Sequence, residues 1–466
     1  MRTFPLLFLV CLLVISVLCA CSTARRTERF YAKTLKKEID TSPVFARSFT
    51  GFTLLDAETG RTLCDVNGGH YFTPASNTKI LTLATCLAVL GDSVPALRYL
   101  PLRAGNASHD YGLWFQGTGD PTFLHPKFQA WQSVFPILKG SGDLYYDPSH
   151  FADTRFGSGW NWDDFGETYS CERSALPIYG NLVHLTRTGQ GWLTDPPFFQ
   201  KYIFANADSL ITYWAAHREY SDSIHVADPQ NKWPVGTELE FPVWRITDKL
   251  LPLLLDTLQV QVAVEVDTYF SPHADEYNDW RTRYATPLDT VLRRMMYQSD
   301  NFIAEQMLLV CAGVKYDTLR QEKIIQWARD TMFVFPVTNT PITTNQPTGQ
   351  PRWVDGSGLS RYNLVSPHYL TNVLWQLWRE QPHDRLLHLF PTAGAPETTL
   401  EWWQPVPPAP WLFAKTGSMG GVQCISGYLR TKRGKTLIFS FMHNNFVGSG
   451  KPWRLEMRRI LELVAG

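Results

Sequence analysis

The sequence predicts a mixed α/β (α+β) fold in which one domain is interrupted by a large, mostly β insertion. A predicted β-hairpin over 48–66 precedes a helix that is apolar nearly all round, from about Ser76 to Leu90. Such a helix is buried in the middle of a domain. Residues 96–270 instead contain short strand-like runs with many Gly, Pro and Trp residues. Helical periodicity returns only after residue 286.

The elements after the insertion follow from the spacing of apolar residues. These residues recur at helical spacing over 287–298 and 366–379, and strand-like runs occupy 411–430 and 436–442. The chain ends in a predicted amphipathic helix with apolar residues on one face: Trp453, Met457, Ile460, Leu461 and Val464. Helices and strands therefore share this part of the chain, as the mixed fold requires.

Composition narrows the class of protein. The chain has 466 residues, with 43 Lys and Arg residues against 43 Asp and Glu residues and a formal net charge of zero. Nucleic-acid-binding proteins normally carry a basic excess, so this balance argues against that class. Hydrophobic residues make up 44% of the chain, which is typical of a globular protein and not of a disordered one.

The N-terminus resembles a secretion signal. After one arginine the chain is almost wholly apolar from Phe4 to Ala20. The alternative is an uncleaved transmembrane anchor, which usually needs about 18 or more apolar residues with charged flanks. Leu18–Cys21 resembles a bacterial lipobox, and this resemblance implies that Cys21 is the lipidated first residue of the mature protein. Ser22 after it resembles the pattern sorted to an outer membrane.

Cysteine usage predicts neither disulfides nor a metal site. Five cysteines remain beyond the signal and the lipobox: Cys64, Cys86, Cys171, Cys311 and Cys424. Their number is odd and they are scattered, so they imply no disulfide framework. The sequence contains no Cys-x-x-Cys or His-Glu-x-x-His pattern, and no zinc site or other cofactor is predicted.

The first candidate catalytic motif is Ser76-Asn77-Thr78-Lys79, at the start of the predicted buried helix. A serine there points into a cleft, and its N–H lies at the positive end of the helix dipole. Lys79 follows three residues later on the same face, where a desolvated lysine can take the serine's proton. The same pattern arises by chance roughly once in a chain of this length, as a capped helix start with a solvent-facing lysine.

Two further motifs lie beyond the insertion. Ser299-Asp300-Asn301 supplies a hydroxyl and an amide that can bridge Lys79 and bind a substrate backbone. Lys415-Thr416-Gly417 lies in a strand-like segment, where the lysine and the hydroxyl can hold a carboxylate and Gly417 leaves room for a ligand. Each motif also has a non-functional interpretation. Ser299–Asn301 can be a polar junction between helices, and Lys415–Gly417 can be an edge strand that ends in a glycine turn.

In this order the three motifs resemble the set found in β-lactamases and penicillin-binding proteins. Compact β-lactamases place the first two motifs much closer together. The large insertion instead resembles peptidase family S13, the D-alanyl-D-alanine carboxypeptidases and endopeptidases that include penicillin-binding protein 4. Three more segments resemble signatures of that family: Gly119-Asp120-Pro121-Thr122, Gly159-Trp160-Asn161-Trp162-Asp163-Asp164 and Asp355-Gly356-Ser357-Gly358-Leu359-Ser360-Arg361.

The resemblance implies a penicillin-recognising domain, in which a five-stranded antiparallel sheet carries helices on both faces. The insertion would hold two β-rich domains, one nested in the other. The division of the chain is then a signal peptide (1–20), a tether (21–45), a catalytic domain (46–95 and 271–466) and an insertion (96–270) with its nested domain at roughly 186–250.

The resemblance also implies a mechanism. Ser76 attacks the carbonyl carbon between two D-alanines of a cell-wall stem peptide, and Lys79 takes the proton of its hydroxyl. Ser299 relays a proton toward the leaving amine, while Asn301 orients Lys79 and the substrate amide. Water then releases the acyl group from the enzyme.

Substrate binding is assigned to the third motif and to three residues elsewhere. Lys415 and Thr416 hold the terminal carboxylate, and the N–H groups of Ser76 and Ser418 form the oxyanion hole by analogy with such enzymes. Three residues match positions that the family uses around the diaminopimelate end of the stem peptide: Asp147, Phe151 and Arg361. Gly420 stands where relatives often carry glutamine, so the preference between carboxypeptidase and endopeptidase activity stays open.

Two other functions remain as alternatives. A β-lactamase would need a glutamate that activates the deacylating water, and no Glu-x-x-Leu-Asn segment follows Ser299. A non-catalytic cell-wall scaffold would need neither Ser76 nor Lys79. The predicted partners are peptidoglycan stem peptides, β-lactam antibiotics as inhibitors, and a membrane through the lipid anchor. Nucleic acid is not among them.

Overall fold

The computed structural model describes residues 30–103, 110–140, 142–206, 214–217, 223–227, 233–259, 264–266, 280–335, 350–401, 403 and 410–466. The predicted signal peptide and Cys21 lie outside these described residues. The chain divides into two compact units. The sheet unit comprises Met1–Asn77, Phe335–Arg352 and Leu364–Gly466, and the insertion unit comprises Thr78–Val334 and Trp353–Asn363.

Four of the ten described α-helices, those at 79–89, 288–297, 367–380 and 451–465, follow the predicted periodicity. In chain order the described α-helices are α1 (Lys36–Asp40), α2 (Lys79–Val89), α3 (Phe135–Lys139), α4 (Ile246–Leu258), α5 (Leu288–Tyr297), α6 (Asn301–Tyr316), α7 (Gln321–Trp327), α8 (Pro367–Glu380), α9 (His383–Leu389) and α10 (Lys451–Ala465). The predicted helices at 287–298, at 366–379 and at the C-terminus are confirmed.

The strands fall into four sheets of the described chain. They are β1 (Phe49–Asp56), β2 (Thr62–Val66), β3 (Ser93–Arg103), β4 (Asp110–Gly117), β5 (Asp143–Tyr146), β6 (Leu182–Thr188), β7 (Gly191–Asp195), β8 (Ile203–Asn206), β9 (Trp214–His217), β10 (Ile224–Ala227), β11 (Glu238–Pro242), β12 (Val264–Val266), β13 (Arg281–Pro287), β14 (Leu412–Met419), β15 (Val422–Arg430) and β16 (Thr436–Asn444). The predicted hairpin at 48–66 and the predicted strands near the C-terminus are confirmed.

The sheet unit contains a five-stranded antiparallel sheet in the order β14-β15-β16-β1-β2. Ile425 and Leu429 of β15 share an apolar core with α10, while the Tyr428 hydroxyl donates to Leu374 O of α8 at 2.8 Å. Successive side chains of a strand point to opposite faces, so α10 and α8 cover opposite faces of this sheet. The predicted sheet with helices on both faces is confirmed.

In the described part of the insertion unit the strands form three sheets. Their strand orders are β12-β5-β4-β3-β13, β11-β6-β7 and β8-β10-β9. Between residues 96 and 270 of the described chain, strands outnumber helices, as the sequence predicts. The first sheet begins at Ser93 and ends at Pro287, and the boundaries 96–270 and 186–250 stay predictions.

Helix α4 is an element that the sequence reading missed. Pro252 lies inside it and interrupts the pattern of a regular helix. Left-handed residues, Arg245 and Gln259, flank its two ends. Leu253 and Leu254 are buried in the core that α4 shares with the sheets of the insertion unit. Tertiary packing of an apolar helix face therefore outweighs the unfavourable proline here.

The five cysteines beyond the lipobox are free and buried. Cys86 of α2 and Cys311 of α6 approach each other, with their Sγ atoms 3.7 Å apart. Within the described part of the chain, no helix is long and apolar enough to cross a membrane. The same residues contain no group of three or more His, Cys, Asp or Glu side chains that could hold a metal ion.

Candidate active site

Lys79 is the first residue of α2 and is completely buried. Its Nζ donates to Asn301 Oδ1 at 2.7 Å and to the Ser357 carbonyl oxygen at 2.8 Å. The alternative of a solvent-facing lysine is therefore wrong. The structure therefore brings Lys79 of the Ser76–Lys79 motif into contact with Asn301 of the Ser299–Asn301 motif and with Ser357 of the segment 355–361.

The electrostatic surroundings of Lys79 favour a partly neutral amine. Burial lowers its pKa to about 8, because a charged ammonium loses its hydration there. Three carboxylates of the insertion unit act in the opposite direction and raise the pKa: Asp355, Glu305 and Asp300. Desolvation outweighs these three attractions, and the amine can lose its proton within a physiological pH range.

The second motif forms the start of α6. Ser299 has a left-handed backbone with φ of 57°, and Asp300 caps the helix by accepting from Ile303 N at 3.0 Å. Asn301 is the first residue of the helix, and both the oxygen and the nitrogen of its side-chain amide form hydrogen bonds. Its Oδ1 accepts from Lys79, and its Nδ2 donates to Tyr169 O at 3.1 Å. The amide orientation is thereby fixed, as the predicted role of Asn301 requires.

The segment 355–361 wraps around the carboxylate of Asp355. Oδ1 accepts from Gly358 N at 2.9 Å and from Asn363 Nδ2 at 2.7 Å. Oδ2 accepts from Ser360 N at 2.7 Å and from Trp160 Nε1 at 3.1 Å. Asp355 is therefore fully engaged as an acceptor, and it holds in place the loop whose Ser357 carbonyl binds Lys79.

Two segments that were matched only by resemblance have structural roles in the insertion unit. Gly159 has φ of 76°, and a Cβ atom there would lie 2.5 Å from the Tyr362 ring. Asp120 is buried and accepts from Thr122 N at 2.9 Å and from Thr122 Oγ1 at 3.0 Å. Burial raises the pKa of Asp120 to about 7. Asp120 therefore stabilises its own turn, and Gly159 allows the close approach of the Tyr362 ring.

The first and third motifs also meet within the sheet unit. Ser76 is half-buried in a 3₁₀ turn, Ala75–Thr78, that runs directly into α2. The neighbouring Asn77 donates from Nδ2 to Lys415 O on β14 at 3.1 Å. A Cβ atom on Gly417 would lie 2.6 Å from Pro74 O and 2.8 Å from Asn77 Nδ2. Glycine is therefore required here by packing of the strand against the serine-bearing turn, a reason that the sequence did not give.

The remaining residues of the third motif differ in exposure. Lys415 is completely buried, and its Nζ donates to Thr416 O at 2.8 Å. Thr416 is half-buried, whereas Ser418 is exposed and donates from Oγ to Gln423 Oε1 at 3.0 Å. The lysine and threonine therefore lie on the same strand, as predicted.

The three residues predicted to bind the substrate side chain lie in the insertion unit. Asp147 accepts from Gln116 Nε2 at 2.7 Å and from Ser149 N at 2.8 Å. Phe151 packs against Ala175, Leu309 and Leu319. Arg361 is exposed. Their shared role in binding stays a prediction.

Sequence reasoning missed Glu305 and the separate roles of Asp355 and Ser357. Glu305 is 1% exposed and lies in the middle of α6, where almost every other residue is apolar. A charge in such a helix is costly unless it is paired, so its presence was a signal. The contacts of Asp355 and Ser357 depend on tertiary structure and have no local pattern.

The chain is similar to known D-alanyl-D-alanine carboxypeptidases over most of its length. The chain is 24% identical over 434 residues to D-alanyl-D-alanine carboxypeptidase DacB of Haemophilus influenzae, covering 86% of each chain. It is 25% identical over 492 residues to D-alanyl-D-alanine carboxypeptidase of an Actinomadura species, covering 96% of this chain and 86% of that one. The crystal structure of penicillin binding protein 4 from Haemophilus influenzae superposes with a TM-score of 0.70 at 21% identity, covering 92% of this chain and 99% of that one.

The antiparallel sheet between helices and the turn that joins Ser76 to Lys79 define the penicillin-recognising class of serine enzymes. Within this class, the large insertion distinguishes the chain from the compact β-lactamases. Residues 31–461 match the D-Ala-D-Ala carboxypeptidase 3 (S13) family, and the chain belongs to this family. Membership confirms the predicted reaction class, a serine-type D-Ala-D-Ala carboxypeptidase.

Proposed function

We propose that Ser76 is the nucleophile of this carboxypeptidase and that Lys79 is its general base. The observation that carries the proposal is the burial of Lys79 between Asn301 Oδ1 and the Ser357 carbonyl oxygen, with a pKa lowered to about 8. At neutral pH about a tenth of such an amine is unprotonated and can accept a proton from serine.

The reaction then runs through an acyl-enzyme. Ser76 Oγ gives its proton to Lys79 and forms a bond to the carbonyl carbon between two D-alanines. The bond from that carbon to the leaving nitrogen breaks, and the nitrogen receives a proton through Ser299. Water hydrolyses the resulting ester and restores the Ser76 hydroxyl. Asn301 keeps Lys79 aligned because its own amide is anchored on Tyr169 O at 3.1 Å.

Lys415 and Thr416 are the proposed carboxylate-binding residues. Their position on β14 supports this, because a buried ammonium beside a half-buried hydroxyl suits a carboxylate at the strand edge. The N–H groups of Ser76 and Ser418 are the proposed oxyanion donors. Gly417 and its close contact with Pro74 and Asn77 set the distance between this strand and the serine turn.

The substrate is proposed to be a peptidoglycan stem peptide, with Asp147, Phe151 and Arg361 around its diaminopimelate end. A carboxypeptidase removes a terminal D-alanine, and an endopeptidase cuts a cross-link whose leaving amine belongs to diaminopimelate. β-Lactams mimic the acylated D-Ala-D-Ala end and are the proposed inhibitors. Cys21, which lies outside the described residues, is proposed to anchor the enzyme to a membrane in the periplasm, with the outer membrane preferred.

Covalent labelling with penicillin tests the proposal. Intact-mass spectrometry should show one penicillin per chain, peptide mapping should place it on Ser76, and the adduct should persist far longer than a normal turnover. Ser76→Ala should abolish it without unfolding the protein, since the change removes one hydroxyl from a half-buried turn residue and a typical point substitution costs about 0.5–3 kcal/mol. Ser449→Ala is the matched control, because Ser449 lies in an exposed loop of the sheet unit.

Three results would contradict parts of this proposal. An adduct on another residue would remove Ser76 from its role. Rapid release of hydrolysed penicillin would favour the β-lactamase alternative. A folded protein that forms no adduct would favour the non-catalytic scaffold.

A further inference from the structure

A single buried carboxylate lies one helical turn beyond Asn301. Glu305 follows it by four residues on α6, and residues with this spacing share one face of a helix. Glu305 Oε1 accepts from Ser357 N at 2.8 Å, and Oε2 accepts from Gln321 Nε2 at 2.8 Å. Arg173 Nη1 lies 3.7 Å from Oε2. These neighbours are all donors, and a donor-only environment suits an ionised carboxylate.

Ser357 connects this carboxylate to the catalytic lysine. Its N–H donates to Glu305, and its carbonyl oxygen accepts from Lys79 Nζ at 2.8 Å. A second acceptor of Lys79 is Asn301 Oδ1, on the same helix as Glu305. Helix α6 therefore fixes these two acceptors of the lysine, one directly through Asn301 and one indirectly through Glu305.

A buried network extends from Glu305 into the insertion. Arg173 is 4% exposed, and it donates to Gln321 Oε1 at 2.5 Å and to Asp153 Oδ1 at 3.1 Å. Gln321 in turn donates to both Glu305 O and Glu305 Oε2. Arginine is always charged in proteins, so Arg173 supplies a permanent positive charge beside Glu305. The network holds Oε2 of the carboxylate, whereas Ser357 N binds Oε1.

The charged groups around Lys79 and Glu305 in the insertion unit can be named individually. Asp355 and Asp300 act on Lys79 together with Glu305 and raise its pKa against burial. Burial and the Asp355 charge raise the pKa of Glu305 above its ordinary value, and Arg173 with the hydrogen bonds from Ser357 and Gln321 offsets this rise only in part. Glu305 is therefore one of three carboxylates that favour the ammonium form of Lys79, and it accepts directly from Ser357 N.

We propose that Glu305 is a positioning residue for the carboxypeptidase reaction, acting on Lys79 through the Ser357 peptide and through its own negative charge. The proposal rests on the proposed function of Lys79 as general base. Glu305 has two separable effects. Its reach holds the Ser357 carbonyl against the lysine, and its charge sets the pH at which the lysine becomes neutral.

Two substitutions separate charge from reach. Glu305→Gln keeps the length of the side chain and removes its charge, so the pKa of Lys79 should fall further and more neutral amine should be present at low pH. Glu305→Asp keeps the charge and shortens the side chain by one methylene, so acylation should slow at every pH without a shift of the profile. A purely structural residue would give the second result in both variants.

The measurement is the second-order rate of acylation by a fluorescent penicillin from pH 6 to 9.5, in the full mature chain. In Glu305→Gln the ratio of the rate at pH 6.5 to the rate at pH 9 should rise about 3- to 7-fold, which corresponds to a fall of about 0.5–1 in the pKa of Lys79. This ratio is independent of any uniform loss of rate. Glu322→Gln is the control, because Glu322 lies on α7 beside Gln321 but is exposed.

The outcomes distinguish this inference from the proposed function. If Lys79→Ala is acylated as fast as the wild-type enzyme, Lys79 is not the base and the proposed function itself fails. If Lys79→Ala is slow but Glu305→Gln keeps the wild-type ratio, only the role of Glu305 is overturned. Should Glu305→Gln fail to fold, Glu305→Asp still tests the effect of side-chain length: a slower, unshifted profile supports that effect, and a shifted profile or a wild-type rate overturns it.

Discussion

Replacing Asp355 by asparagine should destabilise the protein more than any surface change of the same chemistry. The carboxylate is completely buried and accepts four hydrogen bonds, two on each oxygen. Asparagine has one acceptor oxygen, so its NH₂ group would face two donors: either Gly358 N and Asn363 Nδ2, or Ser360 N and Trp160 Nε1. Two lost bonds to a charged acceptor, each worth about 1.5–3 kcal/mol, predict a loss of about 3–6 kcal/mol.

The assay is differential scanning calorimetry with and without bound penicillin. A loss of this size should lower the melting temperature of Asp355→Asn by about 5–10 °C. Asp256→Asn is the matched control, since Asp256 is exposed on α4 in the same unit. If Asp355→Asn melts within a degree of the control, the four hydrogen bonds do not hold the loop and the argument for its role in presenting Ser357 to Lys79 fails.

Two further predictions concern substrate binding and membrane anchoring. Arg361→Ala should weaken cleavage of diaminopimelate-containing peptides more than of minimal D-Ala-D-Ala substrates, by roughly 1.5–3 kcal/mol in kcat/KM, and equal losses on both would assign Arg361 a structural role. Cys21 should be the modified N-terminus of the mature protein, and Cys21→Ala should no longer fractionate with membranes. Mass spectrometry of the N-terminal peptide decides this, and an unmodified N-terminus at another residue would contradict it.

The parts of the fold that sequence reasoning found are those with a local signal. The helices α2, α5, α8 and α10 have clear apolar periodicity, and β14 to β16 are strand-like runs bounded by turns. Helix α4 was missed because Pro252 breaks the local pattern, while the stabilising contacts of its leucines come from distant strands.

Some residues of the candidate site belong to short sequence motifs, whereas the contacts of others depend on tertiary structure. Motif spacing found Ser76, Lys79, Asn301 and Lys415 because each belongs to a short pattern. Glu305 has no such pattern, since its partners Ser357 and Arg173 lie far from it in sequence. The requirement for Gly417 was ascribed to a ligand along the strand, whereas its close contacts with Pro74 and Asn77 could be known only from tertiary structure.

All five described cysteines are buried, so their reactivity toward alkylating reagents reports local unfolding of the protein. Desolvation raises the pKa of Cys64 and of Cys424 to about 12, so neither accessibility nor thiolate content favours alkylation of the native chain. Cys64 and Cys424 belong to the sheet unit, while Cys86, Cys171 and Cys311 belong to the insertion unit. The order in which alkylating reagents modify these thiols under mild denaturant therefore reveals which unit loosens first, with no added probe.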